Sequence, residues 1–266
     1  MAGIRCEDVG KVYRQQDGEK VVLQEVNLEV HSGEFVALLG PSGCGKSTLL
    51  NIMSGLDQAH TGQILYTEVR DASEPKQPAI GYVFQEARLL PWMTVRQNIH
   101  FALESSPSPR VGQRVENWLD RVGLKGYYDY YPYQISIGMQ HRVSLARSLI
   151  LDPELLLLDE PFSSLDEITA MTMRSEVLDL WKEQQGTVIL VTHNPLEAVF
   201  LADRVLVMAA NPGRIVAELS LTERLSRPRD PDNRMLWEIS REAVRLLSPH
   251  LPSIPEEAAT DGRIGR

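Results

Sequence analysis

Cysteine occurs only twice in the 266 residues, as Cys6 and Cys44, in unrelated contexts. That excludes a disulfide framework and a cysteine-based metal site, and it suits a reducing cytosol. Positive charge is also scarce: 27 Lys and Arg stand against 36 Asp and Glu, for a net charge of −9. A general binder of nucleic acid needs clustered Lys and Arg to neutralise phosphates, so no nucleic acid partner is expected. Long apolar runs are missing. The leucine run Leu155–Leu158 falls far short of the roughly 18 apolar residues that suggest a membrane span. Met1 to Gly10 lacks the basic-then-apolar pattern of a signal peptide. The expectation is a protein that does not cross a membrane by itself but can dock to something that does.

What is present is ordinary for a folded protein: 43% hydrophobic and 24% charged residues. The length suits one large α/β domain, or one domain with an inserted subdomain. Ile4 to Val12 and Val21 to Val30 alternate apolar and polar residues as strands do, with Asp17-Gly18 marking a turn between them. Phe35 to Leu39 is a continuous apolar run, expected of a buried strand. Lys46 to Ser54 reads as a helix and Ile80 to Phe84 as a strand. From Arg88 to about Ile150 the pattern turns helical, with a loop at Ser105 to Arg110 and helices at Val111 to Val122 and Ser136 to Leu149. Strand character returns at Leu155 to Leu158, Val188 to Val191 and Arg204 to Met208. Strands alternating with helical patterns predict a parallel sheet with crossover helices. From Glu218 the pattern changes. Arg227 to Pro231 reads as a loop. Leu236, Ile239, Ala243, Val244 and Leu247 form an apolar face at helical spacing. The stretch from about Pro252 is polar.

The segment Gly40-Pro41-Ser42-Gly43-Cys44-Gly45-Lys46-Ser47-Thr48 fits the phosphate-loop pattern in full, between a buried strand and a helix. Its glycines let backbone N–H groups curl around phosphate oxygens, and the following helix aims its positive end at the same anion. Lys46 supplies a charge for the β and γ phosphates, and the Ser47 hydroxyl is a magnesium ligand. The loop alone does not separate an ATPase from a GTPase or a small-molecule kinase. Cys44 stands near a helix N-terminus, where a thiol pKa is expected to fall. The run Leu155–Leu158 ends in Asp159-Glu160, and ligands bind at the carboxyl ends of such strands. Asp159 is expected to hold magnesium and Glu160 to act as the general base on the attacking water. Val188 to Val191 ends in Thr192-His193, a second candidate contact for the γ-phosphate or that water.

Taken in order, these pieces resemble the nucleotide-binding subunit of an ATP-binding cassette (ABC) transporter. The further elements are a glutamine loop in Gly81-Tyr82-Val83-Phe84-Gln85, a signature-like Ile135-Ser136-Ile137-Gly138-Met139-Gln140, and a D-loop Ser163-Ser164-Leu165-Asp166. The resemblance covers about residues 4 to 217. It implies a P-loop NTPase (RecA-like) α/β core, with an N-terminal antiparallel β region and an inserted α-helical subdomain. The boundaries would be 1–87 with 151–217 for the core, 88–150 for the helical part and 218–266 for an extension. It implies that Tyr13 stacks on adenine, as a flat ring suits a flat base. It further implies that Gln85 reaches magnesium or the attacking water, and that Asp166 contacts the opposite subunit. ATP and Mg2+ would be shared between two copies, or a copy and a paralogue. Each ATP would lie between one phosphate loop and the other's Ser136 to Met139.

The segment Leu89 to Asn98 and the tail Arg227 to Asp230 are similar to the branch that imports nitrate, sulfonates and taurine. An integral-membrane permease would dock near Leu89 to Asn98, whose apolar residues would be awkward on a free surface. A separate solute-binding protein would choose the cargo, and the subunit would lie peripherally on the cytoplasmic face of the membrane. One residue departs from the family pattern with consequence: Ile137 stands where the signature has its first glycine. A β-branched side chain restricts the backbone at the closest approach to the opposing γ-phosphate. That leaves a nucleotide-dependent switch with weak hydrolysis as an alternative. A soluble P-loop kinase is another, against which the signature segment, the D-loop and His193 argue.

Overall fold

The computed structural model describes residues 2–15, 18–68, 77–103 and 111–248. Asp17 of the expected turn, the expected loop at Ser105 to Arg110 and the polar stretch from Pro252 lie outside the described residues. The chain runs β1 (Gly3–Gln15), β2 (Gly18–Val30), β3 (Phe35–Leu39), α1 (Lys46–Met53), β4 (Thr61–Thr67), β5 (Ile80–Val83), α2 (Val95–Phe101), α3 (Val111–Arg121), α4 (Ile137–Leu149) and β6 (Leu155–Asp159). It continues with α5 (Glu167–Gln184), β7 (Thr187–Thr192), α6 (Pro195–Leu201), β8 (Arg204–Ala209), β9 (Arg214–Ser220) and α7 (Arg234–Leu247).

The strands form two sheets. β1 pairs antiparallel with β2 and with β4, giving the order β2-β1-β4. The larger sheet has the order β5-β6-β7-β3-β8-β9, parallel throughout except for the antiparallel edge strand β9. Every residue of β3, β6 and β7 is buried. A strand covered on both faces cannot alternate with polar residues, which is why these segments read as unbroken apolar runs. Successive side chains still point to opposite faces. Phe35, Ala37 and Leu39 join one core cluster with Leu156, Leu158, Val188 and Leu190. Val36 and Leu38 join the other, with Leu155, Leu157, Ile189 and Val191. The first cluster takes in the helices α2 to α7; the second packs the sheet against α1 and the β1–β2 layer. Burying each large aliphatic side chain here contributes about 1.5–3 kcal/mol.

Two strands escaped the sequence reading. β4 shows no buried residue and no alternation, and β9 is an edge strand with a single buried side chain. The tail is a loop at Arg227 to Pro231, as read from the residues, and it is anchored on α6. Arg227 donates to Asp203 and to the Leu201 carbonyl, and it lies 4.7 Å over the Trp181 ring. Arg229 is buried and donates to the carbonyls of Val199, Phe200 and Ala202 at the end of α6. Two arginines thus cap the orphan carbonyls of one helix and lead the chain into α7. There Leu236, Ile239, Ala243 and Leu247 face inward as expected, while Val244 is 44% exposed and does not belong to the buried face. Among the described residues no helix is long and apolar enough to cross a membrane.

Leu89 to Thr94 forms an elbow ahead of α2, with Pro91 and Trp92 exposed, pinned from beneath. Thr94 caps α2 and accepts from the Gln97 N–H, and the Gln97 side chain accepts from the Thr94 N–H. Asn98 is fully buried, so it turns away from the surface where a docking role would place it. Its amide accepts from the Leu90 N–H at 2.8 Å and donates to the carbonyls of Leu90, Met93 and Thr94. This network fixes the loop that carries Trp92, which is 68% exposed. Asn98→Ala removes the side-chain partner of the Leu90 N–H and of the Met93 carbonyl, while the Leu90 and Thr94 carbonyls keep the Met93 and Asn98 N–H groups; each group left unpaired costs about 1–3 kcal/mol. The expected loss in a urea unfolding titration is about 2–4 kcal/mol; a loss below about 0.5 kcal/mol would show that the network does not hold the elbow.

Candidate functional site

The site forms where β3, β6 and β7 end side by side. Leu39 is paired with Thr192, and Asp159 with Val191. The residues that follow these strands therefore meet: the loop from Gly40, the pair Asp159-Glu160, and Thr192-His193. The Gly40 N–H donates to the Thr192 carbonyl and the Glu160 N–H to the Val191 carbonyl, which ties the three ends together.

The loop itself turns on Gly45, which sits at φ 100 as the residue capping α1. A Cβ there would lie 2.7 Å from Leu23 Cδ2, so both backbone and space require glycine. Lys46 is 4% exposed and donates to the carbonyls of Gly40 and Pro41 at 2.8 and 3.0 Å. Its ammonium also stands 3.6 Å from Glu160 Oε1. Ser47 donates to Asp159 Oδ1 at 2.8 Å, and the Tyr82 hydroxyl reaches Asp159 Oδ2 and Asn51 Oδ1. Glu160 Oε2 lies 2.8 Å from His193 Nδ1. The Glu160 backbone is held at φ 44, a left-handed conformation that costs a non-glycine residue about 1–2 kcal/mol. It persists because its carbonyl accepts from the Ser163 N–H and hydroxyl.

Burial raises the Asp159 carboxyl above its ordinary range, and the neighbouring Glu160 adds to this; the Ser47 hydrogen bond works the other way. The acid pair thus asks for a cation beyond Lys46. Among the described residues no cluster of three or more His, Cys, Asp or Glu forms a ready cation cage. One carboxylate and one hydroxyl supply the hard oxygen donors magnesium prefers, in the sparse arrangement it uses when nucleotide phosphates complete its shell.

Cys44 behaves differently from the expectation. It is 1% exposed, and burial pushes its thiol up despite the pull of Lys46. Desolvation outweighs the helix terminus, so this thiol is neither acidic nor open to reagents. The other expected residues have no hydrogen bond or ion pair to this cluster among those of the described residues. Tyr13 is 40% exposed on β1, with its hydroxyl on Asp57 and Lys11 4.8 Å from its ring. Gln85 is exposed after β5 and borders a groove of about 720 Å³ with Pro91, Tyr133, Ile137 and His141. Ser136 caps α4 by accepting from the Met139 N–H. Ile137 opens that helix and is 57% exposed, turned away from its own core. A Cβ on Gly138 would lie 3.0 Å from Thr169 Cγ2, so this glycine lets α4 sit against α5. Asp166 caps α5 by accepting from the Thr169 N–H, and hydrogen bonds from the Thr169 hydroxyl and then its N–H lower the Asp166 pKa.

Sequence reading missed three supports. Tyr82 holds Asp159. Glu197, 5% exposed, accepts from the Thr192 hydroxyl at 2.6 Å. Gly213 packs on the loop so closely that a Cβ would meet the Cys44 carbonyl at 2.1 Å. Only the last left a trace, an Asn211-Pro212-Gly213 turn signal.

A testable consequence follows from Asp159. A carboxyl whose folded pKa is raised stabilises the fold below its ordinary range and loses that contribution as pH rises through the raised value. Asp159→Asn should therefore raise the melting temperature of the nucleotide-free chain at neutral pH, by roughly 2–4 °C for each kcal/mol regained. The gain should shrink in acid, and magnesium with ATP should no longer stabilise the variant. A variant no more stable than the parent at neutral pH would contradict the assigned strain.

Comparison with known proteins agrees with this geometry. A family model described as ABC transporter matches residues 23–163, more than half the chain. The chain is 48% identical over 196 residues to an aliphatic sulfonates import ATP-binding protein of Bacillus licheniformis, covering 73% of this chain and 75% of that one. It is 42% identical over 226 residues to a taurine import ATP-binding protein of Pelagibacter ubique, covering 83% and 84%. A solved ATP-binding cassette, a dimer in a post-hydrolysis state with ADP and Pi, superposes with a TM-score of 0.71 at 31% identity, covering 82% of this chain and 98% of that one. With a phosphate loop, an acid pair and a histidine joined at the ends of three buried strands, the chain belongs to the ABC transporter family and is one of its ATP-hydrolysing subunits.

Proposed function

We propose that the chain hydrolyses ATP with Mg2+ to drive a membrane importer of sulfonate-like or related nitrogen- or sulfur-containing small anions. The observation that carries the catalytic part is Glu160, held between Lys46 at 3.6 Å and His193 at 2.8 Å. The cargo class rests on the two relatives named for sulfonate and taurine import.

In this reading the loop Gly40 to Thr48 wraps the phosphates. Lys46 leaves the Gly40 and Pro41 carbonyls for the β and γ phosphates. Ser47 and Asp159 would hold Mg2+, which would supply positive charge to neutralise the phosphate oxygens. Tyr13 stacks on adenine. Water attacks the γ-phosphorus, Glu160 takes the proton, and the bond to the bridging oxygen breaks to release ADP and phosphate. His193, anchored by Glu160 and backed by Thr192 and Glu197, orients the γ-phosphate and water, and Gln85 joins them from the β5 side. Ser136, Ile137, Gly138 and Met139 face the ATP of the second subunit, and Asp166 meets that subunit across the dimer.

A permease docks near Leu89 to Asn98, on the side of the groove bounded by Gln85, Pro91 and Tyr133, beside the exposed Trp92. Apolar side chains left in water at the elbow support this. A solute-binding protein selects the cargo, and the subunit sits on the cytoplasmic face of the membrane. The parts 1–87 with 151–217, 88–150 and 218–266 serve as ATP-binding core, helical subdomain and extension.

The test is phosphate release by the purified chain. Release should require magnesium and fall at least about 100-fold in Glu160→Gln; equal rates in the two proteins would remove Glu160 from the chemistry. Ile137→Gly should raise turnover about threefold, less than 1 kcal/mol of barrier. An unchanged or lower rate would show that the exposed isoleucine does not impede the composite site.

A further inference from the structure

α5 and α7 each carry more apolar surface than their own core uses. On α5, Ala170, Met173 and Val177 are buried. Ile168 and Met171, one turn apart on another face, remain 77% and 46% exposed. On α7, Leu236, Ile239, Ala243 and Leu247 pack inward, while Met235 and Trp237 are 44% and 51% exposed. Between these helices and α6 runs a groove of about 330 Å³, lined by Met171, Leu196, Phe200, Pro231, Leu236 and Trp237. Its polar border is Asn194 and the ion pair of Arg174 with Glu167 at 2.8 Å. Scattered single apolar residues on a surface need no explanation, but a contiguous patch around a groove does.

The position of the patch selects its occupant. Ile168 is two residues beyond Asp166, and Asn194 directly follows His193. The groove therefore begins at the edge of the face that carries the switch histidine and the D-loop. Solved cassettes similar to this chain are dimers. A closed two-fold contact uses the same surface on both subunits, so an apolar patch continuous with that face is turned towards the second copy.

We propose that the groove between α5, α6 and α7, with Ile168, Met171 and Trp237 on and beside its rim, is a second contact between two copies of this chain, separate from the ATP-filled contact. The proposal rests on the reading that the subunits close on ATP. None of these residues belongs to the phosphate loop, so the contact strengthens the dimer without altering how one subunit binds ATP.

The experiment uses the full chain carrying Glu160→Gln, which keeps ATP intact, with magnesium and ATP in sedimentation equilibrium. Dimers should form. Ile168→Asp and Trp237→Ser, each added alone, should weaken the dimer about tenfold or more, as expected for stranding a buried apolar side chain. Both positions are exposed, so melting temperatures should stay at the parent value. Single-subunit ATP affinity, measured at dilution, should also be unchanged. Dimers of unchanged strength in both substituted chains overturn the contact and leave the ATPase reading intact; that is also the result expected if another protein covers the patch. A chain that binds ATP yet stays monomeric overturns the composite site and this contact together. Lowered single-subunit ATP affinity would reassign the residues to nucleotide binding and overturn the contact as well.

Discussion

Two adjacent carboxylates end a strand with no exposed residue, and the charge they carry governs the site. Burial, and Glu160 beside it, disfavour the charged form of Asp159 unless positive charge or hydrogen bonds offset them. The fold places Lys46 at 3.6 Å from Glu160 and the Ser47 hydroxyl at 2.8 Å from Asp159. Both come from the first turn of α1, whose own N-terminus adds a partial positive charge. The remaining imbalance, visible in the raised Asp159 carboxyl, is what a divalent cation and a phosphate chain relieve together. The electrostatics of the nucleotide-free fold thus favour added positive charge beside Asp159.

That arrangement depends on the sheet. Three strands buried on both faces stop at the same level, so the loops that leave them share one surface. The strain stored at Glu160, held in left-handed backbone, is tolerated because Val191 and Ser163 bind its peptide groups from two sides. Its side chain is thereby aimed between Lys46 and His193. The rest of the molecule extends this surface outward. α4 brings the Ser136 cap and the exposed Ile137 to one border. The groove beside Gln85 opens on the helical side, and the apolar groove of α5, α6 and α7 begins just past Asp166.

Much of this was legible in the residues. The run Phe35 to Leu39, followed by the glycine-rich loop, specified a buried strand, a turn and a helix in that order, because each segment has a chemistry that suits little else. The leucine run ending in Asp159-Glu160 was equally plain. The strands β4 and β9 were not, because edge and half-covered strands lack both the unbroken apolar run and the clean alternation that mark a strand. Arg227 and Arg229 read as loop residues. Their function as caps on α6 arises only when the tail folds back over that helix.

The sequence by itself determined the chemistry: a phosphate cradle, a hydroxyl and an acid pair for a cation, a base and a histidine, in an order that identifies the family. It did so because these groups act through covalent identity and short-range spacing, which folding does not change. Tertiary structure alone decided how each environment modifies them. Cys44 shows this most sharply. The local rule of a helix N-terminus predicts an acidic thiol, yet packing against the rest of the fold removes its water and raises its pKa. Likewise, only packing of α2 against α3 and α4 turned Asn98 inward to hold the elbow and left Trp92 outside. Desolvation and contact depend on which distant segments arrive at a point in space, and no local pattern encodes that arrival.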